Sequence, residues 1–278
     1  MPEFERDGVV LSYTTWGDPE APTVVLLHGF TSDQRMWLPH VEAFAEDYRV
    51  IAPDLRGHGR SDSPEDLDAY LMAGYADDLR ALLDDAGAGV CALIGCSFGG
   101  MVALQFATTW PERVAALVVS DSSPAYDHPG YSEAFRERER GITAMAEVVR
   151  TKGPSAIAKR AAADVRDPFL AEGIRRRYRA LNRDGFLGAE SARRSRPDLT
   201  PLLRDRLTMP VFLCWGDEDP VISAREVMTA ELPGARLVVF GRTGHGVPAI
   251  RPGPFTKAVL DFFADVEDGR PVAGTLAL

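Results

Sequence analysis

The hydrophobic positions of this chain fall into short unbroken runs separated by stretches of helical period. Residues 23–28 (TVVLLH), 49–53 (RVIAP), 90–95 (VCALIG), 114–120 (VAALVVS), 210–215 (PVFLCW) and 236–240 (RLVVF) read as strands covered on both faces. Residues 9–16 read as an edge strand, ended by Gly17-Asp18-Pro19. Between these runs, Leu71, Tyr75, Leu79, Leu82, Leu83 and Ala86 mark the apolar face of a helix near 66–85, with Asp77, Asp78, Arg80 and Asp84 opposite. Phe255, Val259, Phe262, Phe263 and Val266 mark a terminal helix. Strands alternating with helices predict the α/β class, a mostly parallel central sheet flanked by helices.

From about residue 122 to 206 the strand pattern stops. Asp167-Pro168 reads as an N-cap and first helical residue, after which Leu170, Ile174, Tyr178 and Leu181 share a face. The expected organisation is a core of residues 1–121 and 207–278 with an inserted helical cap, or lid, over 122–206. The last ten residues read as a tail.

A length of 278 residues with 45% hydrophobic content is enough for one large domain with a lobe. Three cysteines form neither a disulfide framework nor a zinc motif, and the charged N-terminus lacks an apolar leader core. Both point to a cytoplasmic protein. No apolar run is long enough to span a membrane, and a net charge of −10 repels nucleic acid, so neither is an expected partner. Residues 124–206 carry 18 Lys+Arg against 12 Asp+Glu, leaving 13 against 29 for the rest. The plain reading of this basic lid is charge-assisted docking on an acidic body. The sharper reading is an anionic small-molecule substrate met by cap arginines, among which the sequence does not rank Arg136, Arg140, Arg179 and Arg193.

The chemistry concentrates at Gly95-Cys96-Ser97-Phe98-Gly99-Gly100, a G-x-S-x-G between an apolar strand and the helical run 101–109. A nucleophile elbow needs that strand–turn–helix setting, with small flanking residues around a strained serine. Ser97 is the candidate nucleophile. A serine hydroxyl needs a base. Of five histidines, His28 and His58 lie in turn-rich segments that read as structural, His40 on a presumed surface helix and His128 on a cap loop. His245, in Thr243-Gly244-His245-Gly246 after the last core strand, lies at the carboxyl edge where open α/β sheets bind ligands, and is the candidate base.

The orienting acid is sought in Trp215-Gly216-Asp217-Glu218-Asp219-Pro220, which keeps the chain order Ser, acid, His. Asp219 is preferred because Pro220 fixes its turn. Asp217 reads as a turn former and Glu218 as solvent-facing; Asp121, closing the strand beside the elbow, is the alternative acid. Oxyanion donors are backbone amides, those of Phe98 and Phe30, and the two rings could line the acyl pocket. No metal cluster and no dinucleotide-binding glycine motif is visible, so no cofactor is expected.

Together these segments, with His28-Gly29-Phe30 and Pro53-Asp54-Leu55-Arg56-Gly57-His58-Gly59-Arg60-Ser61-Asp62, resemble the α/β-hydrolase superfamily over nearly the whole chain. Within it the chain is similar to the lidded branch of esterases, enol-lactonases, cofactor-free haloperoxidases and carbon–carbon bond hydrolases. The resemblance implies Ser97, Asp219 and His245 as triad, the Phe30 and Phe98 amides as oxyanion hole, and hydrolysis of a carboxylic ester or lactone through an acyl-enzyme. Serine at the elbow departs from haloalkane dehalogenases and epoxide hydrolases, whose nucleophile is a carboxylate. Cys96 and Phe30-Thr31-Ser32 depart from the Asn and Gly-Pro-rich loop of carbon–carbon hydrolases. Carbon–carbon hydrolase, thioesterase or perhydrolase activity with the same triad is the alternative, and a ligand-binding receptor on this scaffold is the reading from another class. The pattern leaves oligomeric state open.

Overall fold

The computed structural model describes residues 2–163 and 168–278. Its sheet contains β1 (Glu3–Arg6), β2 (Val9–Trp16), β3 (Thr23–Leu27), β4 (Arg49–Pro53), β5 (Cys91–Cys96), β6 (Val114–Ser120), β7 (Val211–Gly216), β8 (Arg236–Phe240) and β9 (Gly274–Ala277). The spatial order is β1-β2-β4-β3-β5-β6-β7-β8-β9. β2 pairs antiparallel with β1 and β4; every other pairing is parallel.

The helices are α1 (Leu38–Phe44), α2 (Met72–Asp85), α3 (Phe98–Thr109), α4 (Glu133–Lys152), α5 (Ala158–Ala161), α6 (Pro168–Arg179), α7 (Arg183–Ser195), α8 (Thr200–Arg206), α9 (Ala224–Glu231), α10 (Val247–Ile250) and α11 (Pro252–Glu267). Successive strand residues point to opposite faces, so the unbroken apolar runs feed two cores. Val25, Leu27, Leu93 and Leu117 join residues of α2, α3 and α9 in one; Val24, Leu26, Ile94 and Val118 join Phe44, Phe255 and Phe262 in the other. Among the described residues, the segment between β6 and β7 holds α4 to α8 and no strand. In it α4 packs on α7, while α8 packs on α3 and α9.

Several local expectations are corrected. Residues 9–16 form an interior strand, because the short hairpin strand β1 covers their outer edge. The C-terminal residues 274–277 add β9 to the other edge instead of trailing as a tail. α2 begins only at Met72: Leu71 is extended and exposed, preceded by a 3-10 turn that Asp66 caps. Asp78 is buried, not solvent-facing, because Arg56 grips it bidentately at 2.6 and 2.9 Å and Arg6 adds a contact at 2.7 Å. Asp167 lies outside the described residues. Of the predicted helix face, Tyr178 and Leu181 pack on the cluster of Ala146, Val149, Ile157, Phe186 and Leu187, and the side chain of Leu170 lies outside the described residues.

His40 is not on a surface. It is fully buried, with Nδ1 2.7 Å from Thr256 Oγ1, whose own proton goes to the Pro252 carbonyl. Burial lowers its pKa to about 4, and burial with the neighbouring His28 lowers that of His58 to about 3. Both are held neutral in the fold and protonate readily once unfolded. Their contribution to stability is therefore complete above about pH 6.5 and lost as pH falls toward 4 and then 3. For His40 this is about 3 kcal/mol. Denaturant midpoints measured from pH 7.5 to 4 should fall, and more shallowly in His40→Gln; identical slopes would remove His40 as a source.

Candidate active site

The elbow follows from close packing at the carboxyl end of β5. Ser97 has φ 53° and ψ −111°, in the region that favours glycine, and stands at the N-terminus of α3 without a capping bond from its side chain. Its amide donates to the Ser120 carbonyl at 2.8 Å, and Ser122 Oγ donates to its carbonyl at 2.7 Å, so the end of β6 and the loop after it fix the turn from both sides. The flanking glycines are required by contact. A Cβ on Gly95 would stand 2.4 Å from the Gly99 carbonyl oxygen, and one on Gly99 would stand 2.2 Å from that of Leu27. Gly99→Ala should thus cost at least about 3 kcal/mol. Gly89, with nothing near its Cβ position, is the control. Thermal melts of the two alanine variants check this, and a Gly99→Ala melt like wild type would contradict it.

Three chain-distant side chains meet at this turn. His245 Nε2 is 2.9 Å from Ser97 Oγ, and Nδ1 is 3.0 Å from each oxygen of Asp219. Asp219 is held by its turn, its Oδ1 accepting the Val221 amide at 3.0 Å. Asp217 and Glu218 are exposed, and Asp217 accepts the Thr243 amide at 3.1 Å, which ties the β7 turn to the His245 loop. Burial alone would raise the Asp219 pKa; His245 and the Val221 amide outweigh it, and the carboxylate stays ionised. The carboxylate in turn fixes the proton on His245 Nδ1 and leaves Nε2 as the acceptor. Burial and the Arg138 charge hold His245 below its ordinary pKa, against the pull of Asp219.

Asp121 sits beside this pair. It has φ 51°, is 1% exposed, and accepts the Val247 amide at 2.8 Å and the Ser120 hydroxyl. Burial and then the Asp219 charge raise its pKa well above the carboxylate range, which favours the neutral carboxyl beside the ionised Asp219. Asp121, Asp219 and His245 bring potential metal-ligating atoms within 4.8 Å of one another, but hydrogen bonds within the set already use His245 Nδ1 and both Asp219 oxygens. That donor set fits a proton-handling triad better than a cation.

The other sequence candidates are also located. The loop after β3 brings Gly29 against the elbow, its Cβ position 3.5 Å from Ser97 Cβ. Phe30 and Phe98 therefore flank Ser97 from two elements, and the amide of Phe98 opens α3, where helix N–H groups lack intrahelical acceptors. The Phe98 ring is fully buried edge-on to Tyr75, which makes it core rather than pocket wall. The Phe30 ring is half-buried against Phe186 of α7. His28 accepts the Leu55 amide at 3.0 Å and His58 contacts the Arg56 carbonyl at 3.0 Å, so both serve the turn scaffold. His128 lies in the loop before α4, where its Nδ1 accepts the Gly130 amide. Cys96 is buried with its pKa pushed well above that of an ordinary thiol, a packed side chain.

One site residue escaped the sequence reading. Arg138 of α4 reaches down so that Nη2 is 2.9 Å from His245 Nε2, while Nη1 donates to Glu139 at 3.0 Å. Glu139 also ion-pairs with the buried Arg193, which packs over Tyr126 with Arg196. The available signal was Glu139, a carboxylate in the apolar stripe of Phe135, Ile142, Ala146 and Val149. Arg140 and Arg179 are instead exposed and paired with Glu133 and Glu172, and Arg136 bonds the His128 and Tyr131 carbonyls. Ser97 is only 5% exposed under this roof. Two of the clefts described, about 700 and 520 Å³, are lined by residues such as Arg6 and Asp77, and Thr31 and Asn182, and not by Ser97 or His245.

Comparison with known proteins gives these distances a setting. A family model described as the alpha/beta hydrolase fold matches residues 22–250. A Bacillus subtilis protein named as a 2-succinyl-6-hydroxy-2,4-cyclohexadiene-1-carboxylate synthase is 29% identical, covering 94% of this chain and 97% of its own. An esterase from Thermogutta terrifontis, solved with malate bound, is 31% identical with a TM-score of 0.80, covering 95% and 97%. The enol-lactonase from Burkholderia xenovorans LB400 is 25% identical with a TM-score of 0.82, covering 95% and 100%. Among the described residues no helix is long and apolar enough to cross a membrane.

Proposed function

Because the chain belongs to the alpha/beta-hydrolase fold family, we propose that it is a serine hydrolase cleaving a carboxylic ester or lactone of a small molecule through an acyl-enzyme. The observation that carries this reading is the unbroken hydrogen-bonded line from Ser97 Oγ through His245 to Asp219. Esterase and lactonase neighbours of the same shape add to it.

In this reading Ser97 attacks the carbonyl carbon while Nε2 of His245 takes its proton. Asp219 stabilises the imidazolium that results. The Phe98 and Phe30 amides stabilise the oxyanion, each donor worth about 2.7–4 kcal/mol. His245 then gives the proton to the leaving oxygen and activates water for deacylation. The helices of residues 122–206 act as the cap that limits water at the acyl-enzyme. The depressed pKa of His245 keeps it a neutral base below the usual histidine range.

A panel of short-chain esters, lactones, thioesters and a vinylogous diketone, with Ser97→Ala as blank, tests the proposal. Turnover of an ester or lactone that vanishes in the blank supports it. Turnover of the diketone alone would move the protein to carbon–carbon hydrolysis. Inactivity on everything, without covalent labelling by a fluorophosphonate, would leave the ligand-binding reading.

A further inference from the structure

The neutral His245 imidazole offers one lone pair, on Nε2, and two donors compete for it: the Ser97 hydroxyl and the Arg138 guanidinium, each at 2.9 Å. A guanidinium donating to a neutral nitrogen is poorly matched, since its planar fork pairs best with a carboxylate. Its other end has a carboxylate, but a shared one. Nη1 shares Glu139 with Arg193, and the third arginine of the cluster, Arg196, bonds hydroxyl and carbonyl oxygens among the described residues. The mismatched edge of Arg138 faces the nucleophile, where a substrate must lie.

Resting on the serine-hydrolase reading above, we propose that Arg138 is a specificity residue that binds a free carboxylate carried by the substrate, and that this pairing frees His245 Nε2 for Ser97. The substrate class is an ester or lactone with a carboxylate within a few bonds of the scissile carbonyl. An uncharged ester leaves Arg138 on the histidine, where it obstructs the base. A carboxylated one gives the guanidinium a better acceptor and returns the lone pair to the hydroxyl. Discrimination therefore lies both in binding and in the availability of the base.

Monoethyl succinate and ethyl levulinate are suitable probes, because they differ by a carboxylate against a methyl ketone of similar shape. The readout is the ratio of their kcat/KM values within each protein. Wild type is expected to favour the succinate ester by about 10²-fold. Arg138→Gln should reduce the ratio to near one, and Arg138→Lys should recover part of it. Arg140→Gln, on an exposed part of the same helix, should leave it unchanged. Succinate should slow fluorophosphonate labelling of wild-type Ser97 where butyramide does not, a measurement that needs no variant. Equal ratios in wild type and Arg138→Gln, or a wild type that labels yet handles both esters alike, would overturn this inference and leave the serine assignment standing. A wild type that does not label defeats the serine reading and this inference with it.

Discussion

Ser97→Ala should lower kcat by about 10⁶-fold, the scale of losing the serine from a protease triad, and abolish fluorophosphonate labelling. The size follows from the site. No other described nucleophile shares the bond to His245, and Cys96 beside it is buried with a raised pKa. Alanine removes one oxygen from a turn whose strain is held by the contacts of Ser120 and Ser122 to the Ser97 backbone. The variant should therefore melt within a degree or two of wild type. Retained labelling in a folded Ser97→Ala protein would move the nucleophile elsewhere.

Asp219→Asn should lower kcat by about 10⁴-fold with little change in KM, because the amide no longer enforces the Nδ1–H tautomer or stabilises the imidazolium. Asp121→Asn is the decisive partner. The neutral carboxyl favoured by the raised pKa and an amide have the same shape here, and both present an acceptor to the Val247 amide. Activity should stay within about threefold of wild type. A folded-state pKa raised this far contributes stability that is complete below the ordinary carboxylate range and lost as pH rises through the folded value. Asparagine never ionises, so this variant should match or exceed wild-type stability at pH 8. Denaturant titrations and steady-state rates on both variants check the pair. A crippled Asp121→Asn beside a near-normal Asp219→Asn would exchange their roles.

The parts of the site legible in the sequence are those in which one residue type answers a local demand. Gly95 and Gly99 stand where any Cβ meets backbone, so the elbow is visible as a string. Asp219 is fixed by the turn it helps to form. The strand runs announced themselves because both faces are buried. Errors fell where burial is long-range. His40 looked like a surface residue until α11 closed over it, and Asp78 like a solvated charge until Arg56 and Arg6 reached it. Residues 274–277 are exposed and irregular in composition, and only the open edge of β8 makes them a strand.

Local sequence alone determined the alternation of strand and helix, the strained serine turn and the chain order of the three polar residues around it. These rest on sterics and hydrogen bonds within a few residues, which a string of letters records. Only the tertiary structure decided that Ser97 and His245, 148 residues apart, meet at 2.9 Å. The same holds for Asp121, whose pKa is raised by burial and by its neighbour Asp219, and for the arginine of α4 that reaches His245. A charge's role depends on which other charges and how much water surround it. Those surroundings are assembled from segments that have no common pattern in the chain.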